Sequence, residues 1–257
     1  MKEKNLNVII TGASRGIGKA LAIEYARKRA AILLLARNKG KLNEILKLVI
    51  EAGGSGYVMK CDVTKPEDMQ RATDFIVWEM GSIDVAVLNA GIGGSGFIDG
   101  IKLEDFKKIY ETNLFGVIHG LAAIVPVMKK QGYGTIAGIS SLAEARGLPG
   151  NAAYNSSKAA VSHLLESARL ELKRYGIKII TVKPGFISTD MTVRHKFHMP
   201  FLMDADNAAK IIIRGIEKGK RIIAFPLPMA FASYLGKIIP SSMFEFLLKL
   251  IKFKPEG

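Results

Sequence analysis

The stretch Asn7-Val8-Ile9-Ile10-Thr11-Gly12-Ala13-Ser14-Arg15-Gly16-Ile17-Gly18 decides how this chain folds. Asn7 to Ile10 is a short, mostly apolar run that ends in a glycine-rich turn, the pattern of a strand buried on both faces. Gly12, Gly16 and Gly18 follow with the spacing Gly-x3-Gly-x-Gly. Without a Cβ the backbone turns tightly and approaches a pyrophosphate closely. From 19 to 29 the apolar residues Leu21, Ala22, Tyr25 and Ala26 recur at helical spacing. A helix start placed just after such a turn offers unpaired N–H groups and a partial positive charge to an anion. Strand, glycine turn and helix in that order predict a dinucleotide site.

The alternation continues along the chain. Apolar runs at 31–36, 56–61, 85–88, 134–139, 178–183 and 221–225 read as strands, the third ending at Asp62. Between them 41–52, 67–80, 103–130 and 154–175 read as helices, with Pro126 expected to kink the long third one. Continuous apolar strands alternating with amphipathic helices predict an α/β fold, a doubly wound parallel sheet of about seven strands covered on both faces. No repeat or low-complexity linker divides it. The expected organisation is one domain over 1–257, with a core at 1–225 and an apolar, basic, helical extension at 226–257.

The 257 residues, 49% hydrophobic, suit one domain with a large core. The single cysteine, Cys61, excludes an intrachain disulfide and fits a reducing cytoplasm. Between Lys60 and Asp62 it reads as a packing residue. The opening residues carry no signal-peptide pattern. The net charge of +14 sits at the ends. Residues 1–47 hold 11 Lys/Arg against 3 Asp/Glu, residues 207–257 hold 9 against 3, and the span between is balanced. A solvated basic face explains this. So does phosphate binding at the front with an anionic surface, such as the inner face of a membrane, at the back. No nucleic-acid-binding motif accompanies the charge.

Tyr154 and Lys158 stand four residues apart on one helix and so share a face. A nearby ammonium favours phenolate, so the Tyr154 pKa is expected to fall toward neutrality. Such a phenol gives a proton to a carbonyl oxygen, or takes one back, near neutral pH. Ser141 lies thirteen positions before the tyrosine and Ser140 fourteen. At the end of the second strand, Ala36-Arg37-Asn38 has no carboxylate to hold an adenosine ribose and repel a 2′-phosphate. Arg37 offers a fork suited to phosphate, and Arg15 could reach the same group, so NADP(H) is expected rather than NAD(H).

Together these residues resemble the short-chain dehydrogenase/reductase family, over Val8 to about Thr189. The resemblance implies a Rossmann-like fold and a cofactor loop at 11–18, which adds Ser14 and Ile17 to its glycines. It implies an adenine contact at Asp62-Val63, and a motif steadying the central sheet and lining the cleft at Asn89-Ala90-Gly91. It implies a catalytic tetrad of Asn113, Ser141, Tyr154 and Lys158, in which Ser141 rather than Ser140 donates a hydrogen bond to the substrate oxygen. Tyr154 and Lys158 also face the cofactor, Lys158 at the ribose hydroxyls, and Asn113 holds a water that relays protons to Lys158. The segment with Pro184, Gly185, Ile187 and Thr189 holds the nicotinamide amide.

Many relatives end in a short strand and a glycine-rich tail that helps build a tetramer. This chain ends instead in apolar sequence broken by Pro226, Pro228 and Pro240, with Lys237, Lys249, Lys252 and Lys254. A tetramer is therefore in doubt and a homodimer expected. The tail is a poor membrane span. It reads either as a core or subunit contact or as an interfacial helix at 243–254 on anionic lipid. Residues 191–203, with Met191, Phe197, Met199, Phe201 and Met203, read as a lid over an apolar pocket. His195 and His198 read as loop histidines, and no metal site is expected. The function so read is carbonyl reduction, or secondary-alcohol oxidation, on a keto-lipid, fatty aldehyde, steroid-like or aromatic ketone. Alternatives are an NADP-binding regulatory or membrane-surface protein without turnover, and a reductase of carrier-bound acyl chains.

Overall fold

The computed structural model describes residues 5–94, 96–190, 192 and 199–250. Its centre is a seven-stranded, fully parallel sheet. The strands are β1 (Asn7–Thr11), β2 (Ala31–Ala36), β3 (Ser55–Lys60), β4 (Val85–Leu88), β5 (Gly134–Ile139), β6 (Ile177–Pro184) and, closing the edge, β9 (Ile222–Phe225). Their spatial order is β3-β2-β1-β4-β5-β6-β9. The register is set by pairs such as Ile9 with Leu33 and Ile9 with Ala86. A separate two-stranded pair joins β7 (Ile187–Ser188) to β8 (Met203–Asp204).

The strands lack polar alternation because both faces are covered. Val8, Ile10, Ile32 and Leu34 point into one core layer with α1 (Gly16–Arg27), α2 (Lys39–Glu51) and α7 (Ala205–Glu217). Ile9, Leu33 and Leu35 point into the other. That layer is built with α3 (Pro66–Met80), α5 (Gly116–Gln131) and α6 (Ala152–Leu172). Successive strand residues thus feed opposite layers, as the period of two requires. Cys61 belongs to the second layer, with its thiol pushed up to about 12 by burial, which fits a packing role.

The single long helix expected over 103–130 is corrected to two. α4 (Leu103–Tyr110) passes into a π-helical turn at Glu111–Phe115 and then into α5. The widened turn, rather than Pro126, is the interruption, and π turns inside α-helices are frequent at functional sites. Among the described residues this stretch, Leu103–Gln131, is long and apolar enough to cross a membrane. Here it is a layer of the domain, with Val117, Ala123, Ile124 and Met128 buried. After β9 come α8 (Leu227–Ile238) and α9 (Ser241–Leu250). The expected helix at 243–254 thus begins slightly earlier, and its last four residues lie outside the described ones.

The crossover from β3 to β4 passes over β2 and β1, so the winding reverses between β1 and β4. Ligands in open α/β sheets bind beyond the carboxyl ends of the strands at such a reversal. The glycine turn after β1 and Asn89 after β4 both lie there.

Candidate active site and cofactor cleft

The turn after β1 is shaped by its glycines. Gly12 has φ +67°, and a Cβ there would come 2.9 Å from Ala90 Cα. A Cβ on Gly18 would meet the Gly12 carbonyl oxygen at 2.4 Å. Both positions need glycine, one for its backbone conformation and both for close approach. The turn is tied to β4 by polar contacts. Asn89 N and Ala90 N donate to Thr11 Oγ1 at 2.9 and 3.0 Å. Asn89 Nδ2 donates to the Thr11 carbonyl at 3.0 Å. These bonds join the ends of β1 and β4 beside the loop.

Beside the turn lies a cavity of about 390 Å³, lined by Ser14, Thr189, the bases Arg15, Lys19 and Lys41 and the acids Glu44, Asp190 and Asp206. The α1 amino terminus opens onto it with no acidic residue in the first turn. The glycine turn and the start of α1 fit a nucleotide pyrophosphate. Arg15 Nη1 lies 3.3 Å from Asp190 Oδ2, both side chains more than half exposed. Arg37 is exposed at the end of β2 and has no ion pair among the described residues. Its neighbour Asn38 is occupied as the cap of α2, accepting from Lys41 N at 3.0 Å. Asp62 is held by Thr64, whose N–H and hydroxyl reach Asp62 Oδ1 at 3.1 and 2.9 Å, and Val63 is buried beside it. Pro184 ends β6, Gly185 N donates to Phe225 O at 2.8 Å, Ile187 is buried, and Thr189 packs near Gly16.

Ser141, Tyr154, Lys158 and Asn113 come together at the carboxyl ends of β4 and β5. Ser141 caps the short 3-10 turn Leu142–Ala145, its Oγ accepting from Ala143 N at 3.1 Å, and it stands near enough to the Tyr154 phenol to lower its pKa. Lys158 Nζ donates to the Ile139 carbonyl at 2.8 Å and lies 5.9 Å from the centroid of the Tyr154 ring. A Cβ on Gly91 would fall 3.2 Å from Asn113 Oδ1 and 3.3 Å from Lys158 Nζ, so the absent side chain leaves these two groups facing the cleft wall. Asn113 is fully buried in the π turn. Its Oδ1 accepts from Ile92 N, and its Nδ2 donates to Ile92 O and Ser157 Oγ. Both amide hydrogens are therefore spent.

The expected direction of the tyrosine shift is corrected. Burial pushes the Tyr154 phenol up, and the neighbouring Ser141 hydroxyl offsets this only in part. The same burial brings the Lys158 ammonium down to about 8. Lys158 has no carboxylate partner among the described residues and spends a hydrogen on a backbone carbonyl. Low-dielectric surroundings penalise both charged forms, and desolvation outweighs the pairwise attraction assumed from spacing. The site holds a neutral phenol beside a cation that parts readily with its proton.

Ser140 is the more deeply buried of the two serines. Its Oγ lies 2.9 Å from the Lys158 carbonyl oxygen, 2.9 Å from Ser162 Oγ and 3.2 Å from Glu144 Oε2. Glu144 went unnoticed in the sequence. Buried in the turn after Ser141, it receives Lys183 Nζ at 2.7 Å and Lys237 Nζ at 2.8 Å on one oxygen. Lys237 comes from α8. The same helix sends Ser233 Oγ to the Leu142 carbonyl at 3.0 Å. Arg146 donates to the Gly236 and Ile239 carbonyls at the carboxyl end of α8. No local pattern announces these contacts; only the fold brings 142–146 and 233–239 together.

β7 and β8 stand on either side of the segment expected as a lid, with Met203 N bonded to Phe186 O at 3.0 Å. Met199 and Met203 are partly buried and Phe201 is exposed. Met191, His195, Phe197 and His198 lie outside the described residues.

A family model described as short chain dehydrogenase matches residues 6–198, about three quarters of the chain. The chain belongs to the short-chain dehydrogenase/reductase family. Among its relatives is the 7alpha-hydroxysteroid dehydrogenase of Escherichia coli K12, 35% identical over 71% of each chain. An alcohol dehydrogenase from Thermococcus sibiricus, complexed with 5-hydroxy-NADP, superposes with a TM-score of 0.76 and 27% identity, over 86% of this chain and 94% of that one. A short-chain dehydrogenase/reductase from Burkholderia phymatum in complex with NAD has a TM-score of 0.83 over 96% of each chain. At 21% identity it speaks for the fold alone. This is an oxidoreductase family acting on CH–OH groups with nicotinamide cofactors, of which both kinds occur among these neighbours. The model match stops at residue 198, before α7, β9 and the tail.

Proposed function

We propose that this chain is an NADP(H)-dependent oxidoreductase that interconverts the carbonyl and secondary alcohol of an apolar substrate. The observation that carries this reading is the convergence of Ser141, Tyr154 and Lys158 beside the cleft formed by the glycine turn and Gly91. When bound, the nicotinamide cofactor supplies or accepts the hydride. The chain's own residues do the rest. The neutral Tyr154 phenol donates its proton to the substrate oxygen as negative charge develops there. Ser141 adds a second hydrogen bond to that oxygen. Lys158, still cationic below about pH 8, stabilises the phenolate left behind. Asn113, its side-chain amide spent on Ile92 and Ser157, holds the π turn and α6 in place beside Lys158.

Arg37 supports NADP(H) over NAD(H). It is a phosphate-compatible side chain at the end of β2, where no carboxylate stands to bind the ribose hydroxyls. Arg15 contributes less, because Asp190 shares its guanidinium. Apolar lid residues such as Met199, Phe201 and Met203 support a steroid-like or acyl-chain substrate, as does the steroid-named relative. The chain is proposed to work in the cytoplasm as a homodimer. The contact would use the shallow apolar groove between α5 and α6 lined by Ile118, Leu121, Val125, Leu164 and Leu172.

Tyr154→Phe is expected to abolish carbonyl-dependent NADPH oxidation while NADPH still binds by fluorescence titration. Residual turnover above a few per cent of wild type would reject Tyr154 as the proton donor. Arg37→Asp is expected to move the preference in kcat/KM toward NADH, and an unchanged ratio would remove Arg37 from cofactor choice.

A further inference from the structure

An ordinary surface helix turns its apolar stripe inward. α8 does the reverse. Leu227, Phe231, Tyr234, Leu235 and Ile238, at i, i+4, i+7, i+8 and i+11, share one face, and each is between 45% and 78% exposed. The opposite face is fastened to the body by polar groups: Ser233 to Leu142, Lys237 to Glu144, and Arg146 to the last carbonyls. The buried side of Glu144 fixes this orientation, since rolling the stripe inward would pull Lys237 away from a carboxylate almost wholly removed from water. α9 continues the exposure with Met243, Phe246 and Leu247, and Lys249 stands exposed after them.

We propose that the outward face of α8 and α9 docks on an anionic lipid surface. Charge selects this occupant over a second copy of the chain. The chain carries +14, and its last 51 residues hold nine Lys/Arg against three Asp/Glu, one of the nine, Lys237, being taken by Glu144. Two such tails placed face to face would bring like charges together, whereas anionic headgroups neutralise them. The side chains suit the task, because Phe231, Tyr234 and Phe246 are aromatic and aromatic rings favour the boundary between headgroups and acyl chains. An outward apolar stripe followed by an exposed lysine, here Lys249, suits a helix lying in that plane. The docked helix is the one that holds the turn after Ser141, so the catalytic end of the sheet would be carried to the lipid.

The test is flotation of the full chain with vesicles of equimolar phosphatidylglycerol and phosphatidylcholine, and with phosphatidylcholine alone. The wild type is expected to float with the anionic vesicles only, and less so as salt rises. The double variant Phe231→Ser, Leu235→Ser is expected to reduce the bound fraction by about tenfold or more. Both side chains lie outside the catalytic contacts, so turnover of a water-soluble ketone is expected to persist, which reads folding independently of lipid. If that variant loses its fold, Ile238→Ser alone, with about a fivefold loss expected, serves instead. Failure of the wild type to float with anionic vesicles overturns the proposal. So does a variant that changes only the sedimentation coefficient, which would assign the face to self-association.

Discussion

α7 and α8 flank the same strand, β9, and carry apolar stripes of similar length, yet they face opposite ways. α7 buries Ala208, Ala209, Ile212, Ile213 and Ile216 against the sheet, and Asp204 caps its start. α8 has no buried residue, and its apolar side chains look outward. Periodicity alone reports that a helix has a stripe. What decides the direction is where the polar side finds partners. α7 has a solvated polar face, so its stripe goes to the core. The polar face of α8 is claimed by Glu144, Arg146 and Leu142, and its stripe is left for something outside the fold.

The comparison breaks most directly on stability. Ile212→Ala is expected to cost about 2–5 kcal/mol in denaturant unfolding, because it opens a cavity in the core. Phe231→Ala is expected to change stability by no more than about 0.5 kcal/mol. Equal losses would mean that the α8 stripe is packed after all.

Next in size is the contact that sets the direction of α8. Glu144→Gln keeps the shape but removes the charge that two lysines share. It is expected to cost about 1–3 kcal/mol and to lower kcat more than it raises KM, since Glu144 also holds Ser140 beneath Ser141. A variant with unchanged kcat would leave Glu144 a purely structural role. The smallest effect separates buried from exposed cations by pH. The Lys158 pKa is lowered to about 8, so the lysine is protonated below that pH and neutral above it. Reduction kcat/KM is therefore expected to fall as pH rises through about 8. The inflection should vanish in Lys158→Arg, whose side chain stays charged. An inflection that survives would belong to another group.

Most of the sheet was legible because buried parallel strands leave unbroken apolar runs such as 31–36 and 85–88, which no other element of that length explains as well. The glycine turn was legible because Gly12 and Gly18 are forced by close approach, and sequence records that necessity directly. The neighbouring of Tyr154 and Lys158 was legible in their four-residue spacing on one helix, whereas Ser141 was singled out by the family resemblance. What stayed hidden depends on groups distant in sequence. The π turn at Asn113 is fixed by Ile92 and Ser157, and the hold on α8 joins residues about 90 positions apart. The sign of the tyrosine shift depends on how completely Lys158 and Tyr154 are enclosed, which a four-residue spacing does not state.

The double use of Glu144 makes the last helices part of the catalytic architecture rather than an appendage. A chain cut after Phe225 would strip away Lys237, Ser233 and the carbonyls that satisfy Arg146, loosening the very turn that presents Ser141. Truncation would then confound two separate losses. In segment exchange between relatives, 142–146 and 233–239 form one inheritance unit and must travel together.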